Sequence, residues 1–145
     1  MMRLSLLLLA LVFTSPLATA ADKLKQLIVK PGETVYARFE VQPKKLTLVS
    51  AGTEPDAGAQ VIFTLTRDEA KPMLKLRIEN KLPRDLQYRA EIRSKTLRLR
   101  TSMKPVPVVA GKLGYELMPG AVEEFVAFDF AYARYTPAPE TPKGG

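Results

Sequence analysis

The chain has 145 residues, with 22 Lys and Arg against 15 Asp and Glu and no Cys, His or Trp. That composition excludes a disulfide framework, a thiol nucleophile, a Ser-His-Asp triad and a histidine-ligated zinc site within the chain. Charge is concentrated between Arg67 and Lys104, where 12 Lys and Arg meet 5 Asp and Glu, and the flanking segments are close to neutral.

The first element in chain order reads as an export signal: Arg3, an apolar run from Leu4 to Phe13, and the small residues Ala18-Thr19-Ala20. The expectation is cleavage after residues 1–20 and a product that starts near Ala21 and works in the periplasm or as a secreted protein. The apolar run is shorter than the roughly 20 residues that a membrane-spanning helix needs, and no later stretch is longer. The product is therefore expected not to span a membrane. Residues 21–135 are of a length that suits one domain. Residues 136–145 are rich in Pro and Gly and are expected to be a disordered tail.

Within the domain the dominant pattern is period-two alternation, the signature of strands with one buried face. Leu27 to Lys30 ends at the turn Pro31-Gly32-Glu33. Val35, Ala37, Phe39 and Val41 form the apolar side of the next run, and the turn Gln42-Pro43-Lys44 leads to Leu46 and Leu48. A Gly- and Pro-containing loop, 51–59, precedes Val61, Phe63 and Leu65. Leu74, Leu76 and Ile78 then alternate with Lys75, Arg77 and Glu79, and after the break at 80–85 Leu86, Tyr88, Ala90 and Ile92 resume the apolar side. A short strand comes next at Leu97 and Leu99. Pro105 and Pro107 confine 104–109 to an edge or connection, because proline lacks a ladder N–H. Gly111-Lys112-Leu113-Gly114 reads as a turn. The last strand, from Phe125 to Tyr135, mixes aromatic and acidic residues on both parities, with Phe128, Phe130 and Tyr132 expected in the core. The best helical patterns, at 68–71 and 121–124, are one turn each. About eight short strands at this spacing predict an all-β protein, a single immunoglobulin-like antiparallel β-sandwich, with a small β-barrel as the alternative.

The two runs 74–80 and 86–93, joined by about six turn-prone residues, are expected to pair as a hairpin. Lys75 and Arg77 would then share one face with Arg89 and Arg93, extended by Arg98 and Arg100, with Glu79 and Glu91 among them. Such a face is either the wet side of a sheet or a docking surface for an anionic envelope component or partner protein. The functional expectation is an exported, non-catalytic binding or accessory domain that uses these six cations, with no cofactor and no metal. Nucleic acid is not an expected partner, since Gly111-Lys112-Leu113-Gly114 has extended flanks and not the helices of a KH loop.

The alternative is a small hydrolase working with two carboxylates drawn from Glu116, Glu123, Glu124 and Asp129. Ser-x-x-Lys spacing is absent, and no Asp-x-Asp-x-Asp-Gly calcium loop occurs.

The stretches Ile78-Glu79-Asn80-Lys81-Leu82-Pro83, Leu86-Gln87-Tyr88-Arg89-Ala90 and Gly114-Tyr115-Glu116-Leu117-Met118-Pro119 resemble a pattern in small exported bacterial proteins without an assigned activity. The resemblance covers about a third of the chain after the signal, and the Cys and Trp-Pro that accompany the pattern elsewhere are missing. It implies a β-sandwich and bacterial export and assigns no site residues. Export, strand pattern and positive charge are also similar to those of the pilus chaperones, which have two immunoglobulin-like domains.

Overall fold

A computed structural model describes residues 24–134. The expected signal 1–20, the start near Ala21 and the expected tail 136–145 lie outside the described residues. The alternating runs become nine strands: β1 (Gln26–Val29), β2 (Thr34–Val41), β3 (Leu46–Gly52), β4 (Val61–Asp68), β5 (Met73–Asn80), β6 (Leu86–Ser94), β7 (Leu99–Met103), β8 (Leu113–Pro119) and β9 (Glu124–Tyr132). No helix occurs among the described residues, and 68–71 and 121–124 contain turns and extended backbone instead. Every strand pairing is antiparallel. The strands form a four-stranded sheet ordered β1-β9-β6-β7 and a five-stranded sheet ordered β3-β2-β4-β5-β8. The two layers pack as a β-sandwich, and neither closes into a barrel.

Each layer turns one apolar row inward. Val61, Phe63 and Leu65 of β4 and Leu74, Leu76 and Ile78 of β5 are buried against Leu86, Tyr88, Ala90, Phe125 and Phe130 of the other sheet. Fully burying one such side chain contributes about 1.5–3 kcal/mol. Tyr88 lies at the centre, edge-on to Phe63 (6.1 Å between ring centroids) and Phe125 (6.4 Å) and stacked on Phe130 (6.2 Å).

The expected hairpin between 74–80 and 86–93 does not form. β5 pairs with β4 and β8, and β6 pairs with β7 and β9, so residues 81–85 cross from one layer to the other. Asn80, fully buried, fixes this crossing. Its amide donates to the carbonyls of Arg84 (3.1 Å) and Val108 (2.9 Å), and its Oδ1 accepts from the Leu82 N–H (2.9 Å). Leu86 and Val108 then exchange two backbone hydrogen bonds, of 2.8 and 2.9 Å.

Two irregularities change side-chain parity. In β9 the register with β6 shifts between Gln87–Ala131 and Arg89–Phe128, and Asp129 adopts φ 52° in the inserted position. This bulge sends Phe130 into the core and leaves Phe128 on the outer face. Of the three aromatics expected in the core, Phe130 is buried, Tyr132 packs against the core from its margin, and Phe128 does not belong to it. In β3, Val49 is the inserted position, since Arg38 pairs with Ser50 and Phe39 with Leu48, so that Leu46 and Leu48 and then Ala51 face the core; on β2 alternation continues to Phe39, and Val41 at its end is exposed.

Candidate functional site

Because β5 and β6 belong to different sheets, the six cations do not share a face. Lys75 and Arg77 project from the outer face of the five-stranded sheet. Arg89, Arg93 and Arg100 lie on the four-stranded sheet. Arg98 sits in the β6–β7 turn with φ 49° and belongs to neither row.

The arginines of the four-stranded sheet are held locally, Arg89 by Asp129 and both Arg93 and Arg100 by Glu91. Glu91 Oε1 accepts from Arg93 Nε and Arg100 Nε, both at 2.6 Å, and Glu91 is only 9 % exposed. The hydrogen bond from Arg93, reinforced by Arg100, holds its carboxyl below the usual range. Arg89 pairs with Asp129 at 3.1 Å, and its guanidinium lies 5.3 Å over the Phe128 ring. The bulge that displaces Phe128 therefore also brings up the carboxylate that balances Arg89.

The four candidate carboxylates do not converge. Glu123 closes the β6–β7 turn, accepting from Lys95 N–H (3.2 Å), Thr96 N–H (3.1 Å) and the Thr96 hydroxyl (2.6 Å). These bonds, led by that of the Thr96 hydroxyl, lower its pKa. Glu116 accepts from the Val106 N–H at 3.0 Å. Glu124 stands beside Arg93 in the ladder, and Asp129 holds Arg89. Five surface depressions among the described residues are each lined by at most one carboxylate. Nor do three His, Cys, Asp or Glu residues come together there in a way that would hold a metal ion.

Lys75 and Arg77 have a different neighbourhood. Across the β5–β8 ladder Lys75 faces Leu117, Arg77 faces Tyr115 and Glu79 faces Leu113. Lys75 Nζ lies 4.6 Å from the Tyr115 ring centroid, a cation–π contact. Leu113, Tyr115 and Leu117 are 43 %, 51 % and 60 % exposed and form one row on an edge strand. Their outward direction is set by local sterics. A Cβ at residue 114 would come within 2.9 Å of the buried Val108 side chain, so Gly114 lets the even-numbered positions face the interior. Met118 is buried and Glu116 points the same way, opposite Leu76, leaving the apolar odd positions outside.

Sequence reasoning found Lys75 and Arg77 and missed Leu113 and Leu117. Its usual rule, apolar side inward, is inverted in β8, and the signal for the inversion is Gly114. Leu113, Tyr115 and Leu117 form an apolar row along the sheet edge, bordered by the β5 row, with Ile62 half-buried on the far side of Glu79. Along that border Lys75 and Arg77 stand against the single carboxylate of Glu79. Compared with protein-family models, curated proteins and solved structures, the chain matches none. Among the described residues no helix is long and apolar enough to cross a membrane.

Proposed function

We propose that the protein is an exported, non-catalytic binding module that docks an acidic partner protein on the outer face of β5 and β8. The observation that carries this reading is the row Leu113, Tyr115 and Leu117, left uncovered beside Lys75 and Arg77. An exposed apolar row on an edge strand invites aggregation, and contiguous exposed apolar surface marks interaction sites. An apolar row that includes a tyrosine and runs beside cations supplies the residue types enriched at protein interfaces. The cations select an acidic partner and steer it, adding on-rate and specificity more than affinity. The signal-like first 20 residues support action in the periplasm or outside the cell.

This reading revises the six-cation surface. Arg89 is paired with Asp129, and Arg93 and Arg100 share Glu91, so the docking role passes to Lys75 and Arg77 together with the apolar row. The scattered carboxylates favour binding over two-carboxylate hydrolysis.

The test is affinity capture from envelope extract with the mature protein, followed by rebinding of the recovered partner in purified form. Leu117→Asp and Tyr115→Asp should abolish rebinding while circular dichroism stays unchanged, since both side chains are exposed. A partner that binds both variants as tightly as the wild type, or that has no acidic surface, would overturn the proposal.

A further inference from the structure

A second group of cations gathers where the β2–β3 turn, the 81–85 crossing and the end of β9 meet. Lys44 stands at the hairpin tip, which is closed by backbone bonds between Gln42 and Lys45 of 3.0 and 3.4 Å. Arg84 belongs to the crossing, and its carbonyl is held by the buried Asn80 amide. Arg134 comes just after β9, and its place is set one residue earlier, where the Ala133 N–H donates to the Asp85 carbonyl at 2.8 Å. With Gln87 and Tyr132 these three cations line a depression of about 710 Å³.

Its walls contain no acidic side chain. Among the described residues no carboxylate lies within ion-pair distance of Lys44, Arg84 or Arg134. Asp85, adjacent to Arg84 in sequence, lines the neighbouring hollow, and its Oδ1 accepts from the Ala110 N–H at 2.9 Å. The Arg84 guanidinium lies 4.8 Å over the Tyr132 ring, which orients it. The contrast with the cations of the four-stranded sheet is chemical: Arg89, Arg93 and Arg100 each meet a carboxylate, and among the described residues Lys44, Arg84 and Arg134 do not.

We infer that this depression binds a phosphate group. A phosphate monoester carries close to two negative charges near neutrality and three acceptor oxygens. Two guanidinium forks suit such an oxoanion, each able to present paired N–H donors, while Lys44 adds a point charge. Gln87 contributes an amide donor. The site shares no residue with the β5–β8 face and stands independently of the role proposed for that face. The phosphate can be supplied in two forms, a soluble monoester or a lipid headgroup, and the experiment separates them.

In one arm, inorganic phosphate and glycerol phosphate are titrated into nitrogen-15-labelled mature protein at constant ionic strength. In the other, the protein is sedimented with phosphatidate vesicles and with phosphatidylcholine vesicles. Saturable shifts confined to residues 44–45, 84–87 and 131–134 would establish a soluble ester as ligand. Sedimentation with phosphatidate alone, without soluble binding, would establish the headgroup. In either arm Arg84→Ala and Arg134→Ala should weaken binding on the order of tenfold, as expected for loss of a charge-assisted hydrogen bond, and Arg77→Ala should leave it unchanged. The inference is overturned if neither arm shows saturable binding, if chloride reproduces the shifts, or if the two arginine variants bind like the wild type.

Discussion

Asp129 combines two roles that substitution can separate. Its φ of 52° is a left-handed conformation that glycine adopts freely, Asp and Asn tolerate, and β-branched residues resist. Its carboxylate meets Arg89 in an exposed pair, a class of interaction worth about 0–1 kcal/mol. Asp129→Gly should therefore stay within about 1 kcal/mol of the wild type, whereas Asp129→Val should lose about 1–2 kcal/mol more through backbone strain. Urea denaturation of both variants checks this, and equal losses would show that charge and not backbone conformation governs the site. Glu123 is the second residue with a definite signature. Its folded-state pKa is lowered by the hydrogen bonds from Thr96 and Lys95, so ionisation favours the folded state. That contribution is complete above the unfolded pKa, near 4.3, and is lost as pH falls through the lower folded value. Melting temperatures of Glu123→Gln measured from pH 7 to pH 2 should approach those of the wild type toward the acid end, where the wild type has lost this contribution. A gap independent of pH would contradict the linkage. The bulge at Asp129 also shows why the sequence pattern misplaces Phe128: one inserted residue reverses in and out for the rest of a strand, and nothing in Phe-Asp-Phe marks which residue is the extra one.

Strands were legible from sequence and their partners were not, for a physical reason visible in β5 and β6. Alternation records which side of a strand is buried. In a sandwich both layers bury one side, so a hairpin within a sheet and a crossing between sheets carry the same pattern of Leu, Lys and Arg. The deciding residues were Asn80 and Val108, which are 28 positions apart and ordinary when taken singly. The acids that balance Arg89 and flank Arg93, Asp129 and Glu124, also arrive from a distant strand. On β8 the reversed polarity has its own consequence. An inward carboxylate on an edge strand opposes edge-to-edge pairing, and Glu116 occupies that position while anchoring the Val106 N–H. Glu116→Val should make the protein associate with itself in a concentration-dependent way, detected by sedimentation velocity. A variant that stays monomeric at the highest attainable concentration would show that β8 is protected by other means.

At the scale of the whole molecule, the division of cations between two outer faces makes charge reversals independent of each other. Arg77→Glu should weaken capture of the acidic partner, and the loss should shrink as salt rises, since exposed charges are screened over about 8 Å at physiological ionic strength. Arg89→Glu should leave capture intact, because it lies on the other layer and already pairs with Asp129. Surface plasmon resonance of both variants at low and high salt makes the comparison. Equal loss from both would restore the single continuous surface that the hairpin would have created.

The place of β9 between β1 and β6 has a further consequence for how the chain acquires its shape. The earliest strand must wait for the latest before its layer exists, and the five-stranded layer lacks β8 until residues 113–119 are present. A polypeptide emerging through a narrow opening, N-terminus first, can pair β2 to β5 early but completes neither layer until residues 113–132 have passed. Closure of the sandwich thereby belongs to the end of such a passage.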